Sequence, residues 1–198
     1  MSDAMPTPTQ DVPLPPWRPL VRGALERQGR SSPQARWLQL ASLAADGTPR
    51  VRTLVFRCWA GGAALDLLTD RRSAKSGELK GKAPLELCWV LPKARCQFRL
   101  RGGRLPLAGE EERQALDRHW QALTPRGRAL WGWPAPGEPL QAEAPFPREL
   151  DDGAPRPDHF ELLRVQLQRV ELLELQGHPH RRRCWRASNG WQEEWLNP

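Results

Sequence analysis

Two stretches that alternate apolar and polar residues, 36–45 and 50–59, flank Asp46-Gly47-Thr48-Pro49. Asp-Gly accepts the positive φ that a tight strand-to-strand turn demands. The chain is thereby committed to an antiparallel hairpin, and its remaining strands must add to that sheet. Gly61-Gly62 turns the chain again before a third strand at 64–69. Two more strands are expected at 85–91 and 95–105, joined around Pro92-Lys93. In the second of these, Arg95, Gln97, Arg99 and Arg101 share one face, and Cys96, Phe98 and Leu100 the other. Residues 159–176 read as one long strand, or two broken by a bend, with Leu163, Val165, Leu167, Leu173 and Leu175 on one face. A last hairpin, 181–188 and 191–196, closes around Asn189-Gly190.

Helices are signalled at three places. Residues 17–27 carry an apolar stripe of Trp17, Leu20, Val21, Ala24 and Leu25. A short helix at 73–82 stops before Pro84. The helix at 110–123 begins with acidic residues that suit the helix dipole. About seven hairpin-linked strands with peripheral helices predict a mainly β fold, an antiparallel barrel.

The 198 residues suit one domain at 16–198, behind a proline-rich tail at 1–15 expected to be disordered, with a long loop at 134–157. No apolar run reaches the roughly 18 residues needed to span a bilayer. The start of the chain lacks a secretory pattern, so a cytoplasmic location is the default expectation. Four cysteines show no C-x-x-C or zinc spacing, and no metal site is expected. They fall in predicted strands, where a free cysteine reads as a small core residue. His178-Pro-His180 lacks a third ligand and reads as a surface turn. His119, on an apolar helix face, reads as a packed histidine.

The net charge of +7 points to anionic ligands, although nearly all of it is arginine, a bias that coding composition also produces. A nucleic-acid barrel would need exposed aromatics among Arg95, Arg99, Arg101 and Arg104, and Phe98 faces the other way. The run Leu67-Leu68-Thr69-Asp70-Arg71-Arg72-Ser73-Ala74-Lys75 is more specific. It reads as a strand end, a basic turn and a helix start, where free N–H groups, a hydroxyl and an ammonium suit a phosphate. Upstream, Arg52-Thr53-Leu54-Val55-Phe56-Arg57 is a strand with a cation at each end. Their odd separation puts Arg52 and Arg57 on opposite faces unless the strand bulges or one works from its end.

These segments, with Arg95-Cys96-Gln97-Phe98-Arg99 and the C-terminal hairpin in order, resemble the pyridoxamine 5′-phosphate oxidase-like family of FMN-binding split barrels. The resemblance implies a Greek-key split barrel, FMN as cofactor, a small-molecule substrate and a homodimer with FMN at the subunit interface. It implies that Arg52 and Lys75 bind the FMN phosphate with help from Ser73. Thr69 would lie near the phosphate or ribityl chain, and Gln97 would bond the isoalloxazine ring. One arginine of Arg181-Arg182-Arg183, taken as Arg183, would face the flavin. Thr53, Leu54, Val55 and Leu68 complete the cofactor set, and Arg57 stands where the oxidases carry lysine.

The departures bear on substrate. A tyrosine, arginine and serine that hold the substrate phosphate in true oxidases correspond here to Trp120, Thr124 and Arg128. A substrate-contacting Arg-x-His pair appears as Pro179 and Arg181, Ala74 replaces an FMN-phosphate arginine, and Leu173 replaces a flavin-stacking tryptophan. The expectation is an FMN-binding oxidoreductase that does not oxidise pyridoxamine phosphate, with no catalytic residue assigned. A non-catalytic flavin-binding or flavin-sensing protein is the alternative.

Overall fold

The computed structural model describes residues 13–29, 31–80 and 83–198. Most of the tail expected at 1–15, and the last two residues of the helix expected at 73–82, lie outside the described residues. The elements are α1 (Trp17–Gln28), β1 (Trp37–Leu43), β2 (Pro49–Trp59), β3 (Ala64–Asp70), α2 (Ala74–Glu78), β4 (Pro84–Leu91) and β5 (Cys96–Arg104). After them come α3 (Gly109–Gln121), α4 (Pro125–Arg128), β6 (Phe160–Glu174), β7 (Arg181–Arg186) and β8 (Glu193–Leu196).

The hairpin turn forms as its sequence demands. Gly47 takes φ 79°, and Asp46 Oδ1 accepts from the Thr48 backbone N–H at 2.9 Å. All strands join one antiparallel sheet in the order β3-β2-β1-β4-β5-β6-β7-β8, and β3 also pairs with β6. That pairing closes β1 to β6 into a barrel, with β7 and β8 as an extension. The chain leaves β3 and re-enters beside β1, the crossing step of a Greek key.

Inward residues fill the barrel: Leu38, Leu40, Leu65, Leu67, Leu87, Trp89, Phe98 and Leu100 are all fully buried. Helix α1 packs on this core through Trp17, whose ring meets Trp59 and Trp191 at 5.6 Å each. A second cluster lies outside the barrel, where Leu116 and Trp120 of α3 meet Leu68, Trp131 and Phe160. Residues 133–159 connect α4 to β6 without helix or strand.

Two bulges change side-chain parity where the site is built. Between β2 and β3, Phe56 pairs with Leu67 but Cys58 with Asp66, so Arg57 is the extra residue. Cys58 therefore faces outward and is exposed, a correction to its reading as a core residue; Cys96 and Cys184 are buried and Cys88 is half-buried. Between β5 and β6, Arg101 pairs with Arg169 and Gly102 with Leu167. Past that point Val170 and Leu172 point inward, and Leu173 turns out of the face on which it was expected. The strand itself runs unbroken through residue 174.

Candidate functional site

The predicted anion site at the start of α2 is smaller than the sequence suggested. The helix has only five residues and Ser73 makes no side-chain cap bond to it, so helix polarity adds little. The cationic character comes from side chains. Lys75 Nζ donates to Ser73 Oγ at 2.9 Å, and Ser73 Oγ donates to the Asp70 carbonyl at 2.6 Å. Burial, and then the neighbouring Arg52 guanidinium, push the Lys75 ammonium below its ordinary pKa. An anion at this point would relieve that strain.

A cavity of about 530 Å³ gathers seven of the predicted residues: Thr53, Leu54, Val55, Arg57, Leu68, Thr69 and Lys75. Its far wall is the loop after α4, including Trp133 and Phe146, whose rings pack edge-on at 5.7 Å. The loop is pinned by Trp131 Nε1 to the Thr69 carbonyl (3.3 Å) and by the Arg72 guanidinium to the Trp133 carbonyl (3.1 Å). Trp131 is buried core, whereas Trp133 is partly exposed at the cavity. Two buried polar atoms on the cavity residues have no hydrogen-bond partner, Thr69 Oγ1 and Arg57 Nε.

The remaining predicted residues lie elsewhere. Arg52 pairs across the sheet with the fully buried Leu40, so it points into the barrel end, opposite to Arg57. There it is ion-paired to Glu78 and bonded to Ser42. The bulge at Arg57 does not bring the two arginines onto one face. Gln97 faces outward, beside Arg99, Glu171, Leu173 and Arg182. Arg183 is on the other face of β7, held by Glu174 (3.1 Å) and Glu193 (3.4 Å) between the rings of Trp185 and Trp195. The arginine that shares the Gln97 face is Arg182, paired with Leu173. The β6 bulge sets this parity of the hairpin.

A cluster that sequence reasoning missed lies next to the cavity. Asp66 is buried on β3, with Arg164 donating to both carboxylate oxygens (2.8 and 3.0 Å) and His119 Nε2 at 2.9 Å from Oδ2. Burial pushes the Asp66 carboxyl up, but those hydrogen bonds outweigh it and hold the group below the usual range. The Asp66 bond, and then the nearby Cys58, raise His119 to about 9. A lone carboxylate inside Ala64-Leu65-Asp66-Leu67-Leu68 was the available signal.

Residues 14–106 match the family described as pyridoxamine 5′-phosphate oxidase, FMN-binding domain. Pyridoxine/pyridoxamine 5′-phosphate oxidase 2 of Arabidopsis thaliana is 30% identical over 167 residues, 81% of this chain and 83% of that protein. This chain belongs to the pyridoxamine 5′-phosphate oxidase family. A pyridoxamine 5′-phosphate oxidase-related, FMN-binding protein from Nostoc punctiforme has the same fold, with TM-score 0.83 and 35% identity over 94% of this chain and all of that one. PhzG from Burkholderia lata, solved with tetrahydrophenazine-1-carboxylic acid, shares the fold at TM-score 0.77 and 19% identity, covering 99% of this chain and 98% of that one.

FMN is accordingly the cofactor that the family indicates for this chain. The cavity fits such a group on its own chemistry. It offers an unpartnered hydroxyl, an unpartnered guanidinium nitrogen and an electrostatically stressed ammonium, beside an apolar wall wide enough for a ring system.

Proposed function

We propose that this protein is an FMN-dependent oxidoreductase acting on a small molecule other than pyridoxamine 5′-phosphate. The observation that carries the reading is the pair of partnerless buried atoms, Thr69 Oγ1 and Arg57 Nε, on the residues of the Lys75 cavity. Lys75, with Ser73 beneath it, would hold the FMN phosphate, with Arg52 acting from behind. Thr53, Leu54, Val55 and Leu68 would line the cofactor's body. When bound, FMN supplies hydride and electron transfer; the protein binds it, orients it and keeps water from it.

The substrate part of the reading rests on three side chains that the fold already uses. Trp120 is buried and donates through Nε1 to the Ala154 carbonyl at 2.9 Å. Thr124 caps α4 by accepting from the Gly127 N–H at 3.1 Å. Arg128 is 3% exposed and bonds the Trp120, Gln121 and Asp151 carbonyls and Asp152. Trp120 and Arg128 are held by these bonds and Thr124 keeps only its hydroxyl proton to offer, which argues against transferring the Arabidopsis relative's named activity.

We further propose a homodimer. Trp37 pairs with Val55, Val90 with Gln97, and the β1–β4 register puts Trp37 and Val90 in one row. Gln97 is thus three strands from the cavity, about 14 Å at ordinary strand spacing. Between them the outer face exposes Trp37 at 43% and Val90 at 42%, with Val51 at 68% on the same face. A second copy on this apolar face would cover it and bring its own Gln97 to the flavin.

The test is a titration of purified protein with FMN and with riboflavin, followed by assay with pyridoxamine 5′-phosphate and oxygen. Tight FMN binding, weaker riboflavin binding and no turnover are expected. Equal affinity for the two flavins would remove the phosphate cradle, and robust turnover would remove the substrate argument.

A further inference from the structure

We propose that the basin between α3 and the bulged end of β2 is a second ligand site, taking the anionic phosphate or carboxylate group of the small molecule that exchanges electrons with the flavin. The link to the flavin rests on the function proposed above; the anion site itself does not.

The basin has a volume of about 460 Å³ and is walled by Arg36, Arg57, Arg118, His119, Arg164 and Asp66. Five cationic side chains thus face one carboxylate, and that carboxylate is spent on Arg164 and His119. With a pKa near 9, His119 carries its proton at neutral pH. Arg36, Arg57 and Arg118 have no ion pair among the described residues. Arg36 is fixed by bonds to the Phe56 and Arg57 carbonyls at 3.0 and 3.3 Å. That holds its charge close to Arg57, whose guanidinium is depressed first by burial and then by Arg36. Arg57 is half-buried with the exposed Arg36 beside it and no counter-charge, and an oxyanion meeting it through paired hydrogen bonds offsets that cost, with the exposed Arg118 at the rim of the basin.

The position favours a reactant rather than a stray ion. Arg57 and Leu68 line both this basin and the 530 Å³ cavity, so the two share a wall. The β2 bulge creates this arrangement, because it turns Arg57 and Cys58 outward in succession. Trp120, Thr124 and Arg128 are not among the residues that line the basin.

A cation suits the basin poorly. Ligand atoms of Cys58, Asp66 and His119 lie within 4.8 Å of one another, a metal-like spacing. Yet both Asp66 oxygens are already hydrogen-bonded, and a divalent ion would have to displace a proton from His119 amid four guanidiniums.

Cys58, exposed in the basin wall, provides the readout. FMN-saturated protein is alkylated with iodoacetamide at constant ionic strength in chloride, inorganic phosphate or malonate, and each thiol is followed by peptide mass mapping. Phosphate or malonate should slow Cys58 labelling several-fold and saturably relative to chloride, while Cys88 is unaffected. Protection by phosphate alone marks a phosphate ester, by malonate alone a carboxylate, and by both a site that takes either. Arg118→Glu, on the exposed face of α3, should abolish the protection. No protection beyond chloride, or equal protection in Arg118→Glu, overturns the site. Protection that persists in a protein that binds no FMN overturns the link to the flavin and leaves the anion site standing.

Discussion

Arg52 is ion-paired to Glu78, and Ser42 bonds them both. One of the two cations expected to clamp a phosphate therefore has a counter-charge, and the other, Lys75, has only Ser73. Lys75→Ala should weaken FMN binding roughly 10- to 100-fold, the worth of one charge-assisted bond. Riboflavin, lacking the phosphate, should lose almost nothing. Arg52→Ala should cost less FMN affinity than Lys75→Ala. Glu78→Gln should tighten FMN by releasing Arg52. Fluorescence-quenching titrations with both flavins measure all three, and equal losses for both flavins in Lys75→Ala would refute the assignment.

Thr69 offers a test in which two measurements move in opposite directions. Its hydroxyl is buried without a partner, so replacing it by an isosteric methyl removes a desolvation cost. Thr69→Val should leave FMN-free protein as stable as before, or more stable by about 1 kcal/mol. The same change should weaken FMN several-fold. Denaturant melts without cofactor, set beside FMN titrations, separate this from a purely structural hydroxyl, for which affinity would not change.

The Asp66–His119 pair predicts how stability follows pH. The folded-state pKa of His119 is raised from 6.5 to about 9. Its contribution is fully present below the unfolded value near 6.5 and is lost as pH rises through 9. The carboxyl of Asp66 is held low, so its contribution is present above the unfolded value near 3.9 and is lost as pH falls. Unfolding free energy should thus fall between about pH 6.5 and 9, by at most about 3 kcal/mol from this histidine. His119→Gln should flatten that slope, and urea melts across the range would show it.

What the sequence made legible was local. The Asp46-Gly47 turn, the alternating strands and the Trp17 stripe each announce themselves within a few residues, and the barrel follows from joining them. The parity changes at Arg57 and near Gln168 did not show, because a bulge is set by the strand opposite. Hence Cys58 reads as core from the sequence, and which of Arg182 and Arg183 shares the Gln97 face does not show in it. The Asp66–His119–Arg164 cluster joins residues as far as 98 positions apart in sequence, and only closure of β3 on β6 and packing of α3 bring them together.

The β5–β6 bulge depends on a missing side chain. A Cβ added at Gly102 would lie 2.1 Å from the Gln166 carbonyl oxygen, on backbone that has no room to yield. Gly102→Ala should destabilise the fold by about 2–4 kcal/mol, the scale of forced overpacking, and lower its thermal midpoint. Gly103→Ala, whose added Cβ would come no nearer than 4.0 Å to its neighbours, is the control and should cost far less. A similar loss in both would show that chain flexibility, not contact, is at stake.

The exposed row on the outer sheet face decides whether the cofactor site is complete in one chain. Val51 and Val90 project from β2 and β4 without packing partners sufficient to bury them. If a second copy covers them, a charge at each must be desolvated in the interface, at a cost that a modest homodimer does not survive. In a lone chain the same substitutions are surface changes worth no more than about 0.5 kcal/mol. Val51→Asp combined with Val90→Asp should therefore yield a folded monomer by sedimentation, with an unchanged circular dichroism spectrum. FMN affinity should fall together with the dimer, since Gln97 would no longer reach the ring from across the interface. Gln97→Ala should weaken FMN and riboflavin alike while leaving the dimer intact. A charged double variant that stays dimeric would refute this face as the interface. One that becomes monomeric but keeps full FMN affinity would show that the cavity of a single chain suffices.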